Sequence, residues 1–126
     1  MTKSRAQTYK VMTDSDIYKE YGELVNSYDK WIKKEFWLHE ADEPEILQIF
    51  TIREELHFLI EESMVRKINI DVAETKTLDE TWQKWLIAHK VRGFSWPRKK
   101  PLPPRTQWWG WIDQLESLTE EERSTL

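Results

Sequence analysis

The chain contains no cysteine, which excludes a disulfide scaffold, a thiolate zinc site and a cysteine nucleophile. Its three glycines stand in neither a GxGxxG nor a P-loop spacing, so no glycine-rich backbone cradle for phosphate can be read from it. No apolar run approaches the roughly 20 residues of a membrane-spanning helix, and the opening MTKSRAQTYKVM lacks the apolar stretch of a secretory signal. A soluble, cytoplasmic protein with no membrane contact is therefore expected. Histidine is scarce too, with only His39, His57 and His89. No serine lies in a nucleophile elbow, and no two histidines have the four-residue spacing of a zinc helix. Glu54 and His57 form one Glu-x-x-His pair, which in four-helix carboxylate proteins supplies two ligands from one helical face. Such a site needs a second pair and two further carboxylates, and the spacing of His39 and His89 does not supply them. The expectation is a chain without catalysis, metal or cofactor, and an enzyme or metal protein built on Glu54 and His57 is the weakest of three readings.

Charge and tryptophan are what the chain has in abundance. One third of the residues are charged (33%), which approaches the composition of disordered segments. Against this, eight Trp, four Tyr and four Phe supply large apolar area with few rotatable bonds, so folding is expected. A length of 126 residues suits one domain with one core.

Hydrophobic periodicity gives an all-α class: a small bundle built on a long antiparallel helical hairpin, covered by a Trp- and Pro-rich C-terminal segment. Residues 1–12 read as a flexible or extended arm, 13–92 as the helical core, 93–106 as a basic, proline-rich connector and 107–126 as C-terminal helices. The side-chain oxygens of Thr13, Asp14, Ser15 and Asp16 can cap a first long helix, whose stripe is Ile17, Tyr21, Leu24, Tyr28 and Trp31. Gly22 inside that stripe weakens it or marks a close helix crossing. Pro44 opens a second helix with a stripe of Ile49, Ile52, Leu56 and Leu59, and Glu54, Glu55, Glu61 and Glu62 face water. Ile68, Ile70 and Val72 then alternate with polar residues, as in a single extended strand. That strand must serve as a connector, pair with the N-terminal arm, or pair with another molecule. Thr77 and Glu80 fit a capping box for a third helix carrying Leu78, Trp82, Trp85, Leu86 and His89. Thr106 can cap a fourth helix over 107–115, and Ser117 or Thr119 a last one.

One segment stands apart. Between Lys90 and Arg105 lie Lys90, Arg92, Arg98, Lys99, Lys100 and Arg105 and no acidic residue. The segment thus carries +6, leaving −10 on the rest of a chain with net charge −4. Lys and Arg neutralise phosphates, and the faces of Trp and Phe stack on exposed bases. Arg92, Arg98, Lys99, Lys100 and Arg105 are the candidate phosphate contacts, and Trp96 or Trp108 the candidate platform if its indole is exposed. The leading reading is a non-catalytic binding module, a small subunit of a larger complex, that contacts single-stranded RNA or DNA. The alternative is a protein-protein adaptor, because Arg98 to Pro104 fits a basic polyproline pattern in which Pro101, Leu102, Pro103 and Pro104 would dock a partner or clasp the chain's own indoles. Against both stands the reading that the tryptophans fill the core and the positive residues complement acidic helices.

Overall fold

The computed structural model describes residues 5–37, 43–88 and 104–126. Among these the chain is all-α with no β-strand: α1 (Arg5–Lys10), α2 (Asp14–Trp37), α3 (Glu43–Val65), α4 (Ala73–Ala88), a 3-10 helix (Trp108–Ser117) and α5 (Glu120–Arg123). α3 packs against α1, α2 and the 3-10 helix, while α4 packs against α2 and the 3-10 helix.

The stripes read from the sequence become the core. Ile17, Leu24, Tyr28 and Ile32 of α2 join Ile49, Ile52, Leu56 and Leu59 of α3, and Leu78, Trp82, Trp85 and Leu86 of α4 complete one cluster with Trp108, Trp109 and Trp111. A buried indole removes some 150–250 Å² from water, so Trp82 and Trp108, both fully buried, each contribute roughly 4–6 kcal/mol of transfer free energy before entropy is counted. Trp31 is only partly buried at the margin of the cluster. Thr13 caps α2, its hydroxyl accepting the Asp16 N–H at 3.1 Å. A Cβ added at Gly22 would meet nothing within 4 Å, so this glycine marks no close helix crossing.

The arm expected over residues 1–12 is instead helical in part, with Tyr9 of α1 buried. Propensity alone does not hold so short a helix, and the cause is Arg66, just beyond α3. Its guanidinium donates to the carbonyls of Met12 (2.6 Å), Tyr9 and Lys10 (both 2.9 Å) and pairs with Asp14 and Glu62. One cation thus satisfies the orphan carbonyls at the end of α1 and ties that end to α2 and α3. The same contacts draw Glu62 out of water, contrary to its expected place on a solvated face.

α3 closes in a Schellman motif, with Lys67 N–H on Met64 O (3.1 Å) and Ile68 N–H on Ser63 O (2.9 Å). Lys67 holds the left-handed position with φ 59°, where glycine is usual, at a cost of about 1–2 kcal/mol. Residues 68–72 then form no ladder with any described residue. They connect α3 to α4, and the hydroxyls of Tyr18 and Tyr21 bond the Asn69 and Asp71 carbonyls. Tyrosines of α2 do for this segment part of what a neighbouring strand would have done. α4 starts four residues before the expected cap: the Asp71 carboxylate accepts the Ala73 N–H at 3.0 Å, and the Thr77 hydroxyl turns back to Ala73 O. In place of one regular helix capped by Thr106, residues 108–117 form short 3-10 turns with no side-chain cap, broken by non-helical backbone at Trp111 (φ −128°, ψ 31°) and Gln114 (φ −129°, ψ 23°). Trp108, Trp109, Trp111, Ile112 and Leu115 are all buried, so the turns are held by packing on more than one side. Thr119 and Glu122 form the capping box of α5.

Candidate functional site

Most of the segment singled out by its charge falls outside the described residues: Arg92, Trp96, Arg98, Lys99, Lys100, Pro101, Leu102 and Pro103. The described residues on its C-terminal side are held firmly. Pro104 O accepts both the Gln107 N–H (2.9 Å) and the Trp111 indole N–H (3.2 Å). Arg105 lies over the Trp111 ring, 5.1 Å from its centroid, with Nε 3.4 Å from Glu122 and a terminal nitrogen 3.3 Å from the Ser117 hydroxyl. Its side chain is 40% exposed, so an incoming phosphate would compete with Glu122 for a charge already engaged. The Glu122 carboxyl is held below its ordinary range, first by the Thr119 N–H and more weakly by Arg105.

Trp108 is no platform in this arrangement. It is fully buried, its indole N–H donates to Thr125 O at 3.3 Å, and its ring meets Trp82 and Trp109 edge-on at 5.6 and 5.8 Å. The condition for stacking, an exposed face, is not met, because the 3-10 helix turns the ring into the bundle. Trp109 and Trp111 are buried as well.

The interior holds a polar cluster that the stripe pattern did not disclose. Arg53 Nε and Nη2 donate to the two Asp79 oxygens at 2.8 and 3.1 Å, and the Tyr28 hydroxyl donates to the same carboxylate at 2.6 Å. All three residues are buried. The guanidinium carbon stands 4.2 Å from the Trp109 ring centroid, and Nη2 also reaches Thr125 O at 3.4 Å. Nη1 has no hydrogen-bond partner among the described residues, so the indole face supplies part of its compensation. Burial pushes the Asp79 carboxyl up, and Arg53 pulls it back only in part. Burial, then the Asp79 charge, push the Tyr28 phenol well above its usual range. A phenol this hard to ionise is a hydrogen-bond donor at neutral pH, and the cluster works as a buried brace between α2, α3 and α4.

A signal for it existed. Arg53 stands four residues after Ile49 and three before Leu56, and Asp79 three before Trp82, so each charge sits on a stripe that should be apolar. Opposite charges on the stripes of two helices are what a buried pair looks like in sequence.

His57 turns to groups other than Glu54. Nearly buried, it has Nε2 3.2 Å from Glu61, Nδ1 3.1 Å from Leu126 O, and its ring centroid 5.0 Å from that of Trp109. Among the described residues no three His, Asp or Glu side chains are grouped to hold a metal ion, and none of the helices is long and apolar enough to cross a membrane. Beside His57 a cleft of about 540 Å³ opens between α3, residues 68–72 and the C-terminal residues, lined by Ile60, Met64, Ile68, Ile70 and Val72. Compared with protein-family models, curated proteins and solved structures, the chain matches none.

Proposed function

We propose that this protein is a non-catalytic binding module, a small subunit of a larger assembly, that contacts single-stranded RNA or DNA through the basic segment from Lys90 to Arg105. The observation that carries the reading is the run of six cations without an acidic residue on a chain that is otherwise strongly negative. At physiological salt, with a Debye length of about 8 Å, that segment acts as a local positive field despite the acidic body. The described residues on either side of it are anchored: α4 (Ala73–Ala88) packs against α2 and the 3-10 helix, and Pro104 and Arg105 are held by Trp111 and Glu122. The body is read as an antiparallel hairpin of α2 and α3, a reading supported by Arg66, which joins the end of α3 to the start of α2. Phosphate contact is assigned to Arg92, Arg98, Lys99 and Lys100, with Arg105 held in part by Glu122. Base stacking passes to Trp96, since Trp108 is enclosed.

The test is anisotropy of a labelled single-stranded oligonucleotide, RNA and DNA in turn, over a salt series. The logarithm of affinity should fall linearly with the logarithm of salt. Lys99→Ala with Lys100→Ala should weaken binding at unchanged helicity and make the slope shallower by roughly 1.4, about 0.7 for each phosphate that is no longer neutralised. Affinity unchanged in the double variant would remove the reading. Binding that survives high salt, or that saturates with a protein and no polynucleotide, would favour the adaptor that docks through Pro101 to Pro104.

A further inference from the structure

The two nitrogens of the His57 ring meet different demands. Nδ1 stands 3.1 Å from Leu126 O, an oxygen that only accepts, so Nδ1 carries a proton. Nε2 has two partners of opposite kind within reach. The Glu61 carboxylate at 3.2 Å accepts, and the Gln107 amide nitrogen at 3.5 Å donates. A protonated Nε2 serves only the first, and a bare Nε2 only the second. With Nδ1 protonated throughout, the choice of partner is the choice between imidazolium and neutral imidazole.

We infer that His57 is a pH-operated switch, which ties α3 to Gln107 at the start of the 3-10 helix when neutral and turns to Glu61 when charged. Histidine is the side chain whose ordinary titration falls between pH 5 and 8. Neutral His57 donates from Nδ1 to Leu126 O and accepts the Gln107 amide at Nε2. A proton taken up at Nε2 opposes that amide hydrogen and draws in the carboxylate. The Glu61 side chain is 59% exposed, so it can swing to the ring or away without disturbing the core. Gln107 passes the change on, because its N–H holds Pro104 O and its carbonyl takes the Gly110 N–H. It stands at the foot of the basic segment, and the switch operates whatever that segment binds.

The other surroundings leave the ring to these two partners. Arg53 lies one turn before His57 on α3 and opposes charge there, but its guanidinium is offset by Asp79 of α4. From the side of the 3-10 helix the ring meets Gln107 and Trp109, both uncharged. From the C-terminal residues it meets Leu126 O, an acceptor whether carbonyl or carboxylate. Among the described residues that line the cleft, Glu61 is the one charged side chain besides His57. Glu61 therefore favours the charged ring, and Gln107 favours the neutral one.

Two-bond proton–nitrogen spectra of the full chain, taken from about pH 5 to 8, read the protonation of each ring nitrogen. His57→Gln identifies the His57 signals among those of the three histidines. At the alkaline end Nδ1 should be protonated and Nε2 bare, and the Gln107 side-chain amide signals should move with the midpoint at which Nε2 gains its proton. Glu61→Ala removes the acceptor for the charged ring and should shift that midpoint to lower pH, by roughly a few tenths of a pH unit for so exposed a pair. Gln107→Ala removes the donor to the neutral ring and should shift it to higher pH. Neither side chain is buried, so both variants should keep the helical circular dichroism. A ring that merely fills space would not give shifts of opposite sign. Neutral His57 with its proton on Nε2 would overturn the inference, as would a midpoint that either variant leaves in place or that both move the same way.

Discussion

At the scale of single residues, the Arg53 and Asp79 charges are both withdrawn from water, and either one left alone would cost several kcal/mol. Their bidentate geometry and the Tyr28 donor satisfy the carboxylate on both oxygens. Arg53→Met alone, or Asp79→Leu alone, should therefore lower unfolding stability by about 3–5 kcal/mol. The combined variant Arg53→Met, Asp79→Leu and Tyr28→Phe removes every member and should lose much less than the sum of the single losses. Urea unfolding of the set, read at constant denaturant slope, checks this, and strict additivity would show that the three act independently. Each charge was visible in the sequence as a break in a stripe. Which partner it met was not, because Arg53 and Asp79 lie 26 residues apart and only helix packing brings them together.

Among the elements, α1 depends on a residue outside itself. Six residues are far below the length at which a helix persists alone, and α1 has no acidic residue in its first turn. Arg66 supplies what is missing by closing the carbonyls at its end. Arg66→Met should release α1 from α3, so that amides of residues 5–12 exchange near the unprotected rate, while α2, α3 and α4 remain helical with a global loss of about 1–3 kcal/mol. Hydrogen exchange read by mass spectrometry separates this from general unfolding. Local pattern sufficed for α2, where a capping threonine and a continuous stripe agree. It failed for α1 and for the start of α4, because their ends are satisfied by Arg66 and by the Asp71 side chain, which no threonine-based cap signal marks.

For the whole molecule, the pH range of stability has an alkaline limit built into the core. Tyr28 is raised well above the ordinary phenol range by burial and by Asp79, and Tyr21 is raised chiefly by burial. Below about pH 10 both are protonated in the folded and unfolded chains, and they add no slope. Above it the unfolded chain releases protons that the folded chain retains. Stability should then fall with rising pH, by up to about 1.4 kcal/mol per pH unit for each such tyrosine. Tyr28→Phe should make the decline shallower, as measured by urea midpoints from about pH 9 to 11. An unchanged slope would mean that the Tyr28 hydroxyl ionises freely in the folded state.

Composition and periodicity by themselves determined the helical class, the faces of α2 and α4 that turn inward, and the concentration of positive charge between Lys90 and Arg105. These depend on neighbours in sequence, three or four residues apart on a helix, and on the residue types alone. Tertiary structure alone decided that Trp108 is enclosed, that Arg53 and Asp79 are partners, that α1 is a helix, and that the Asn69 and Asp71 carbonyls are met by tyrosine hydroxyls of α2. Each of those follows from contacts across many residues of chain, where a distant hydroxyl, guanidinium or indole completes a group that the local sequence leaves open.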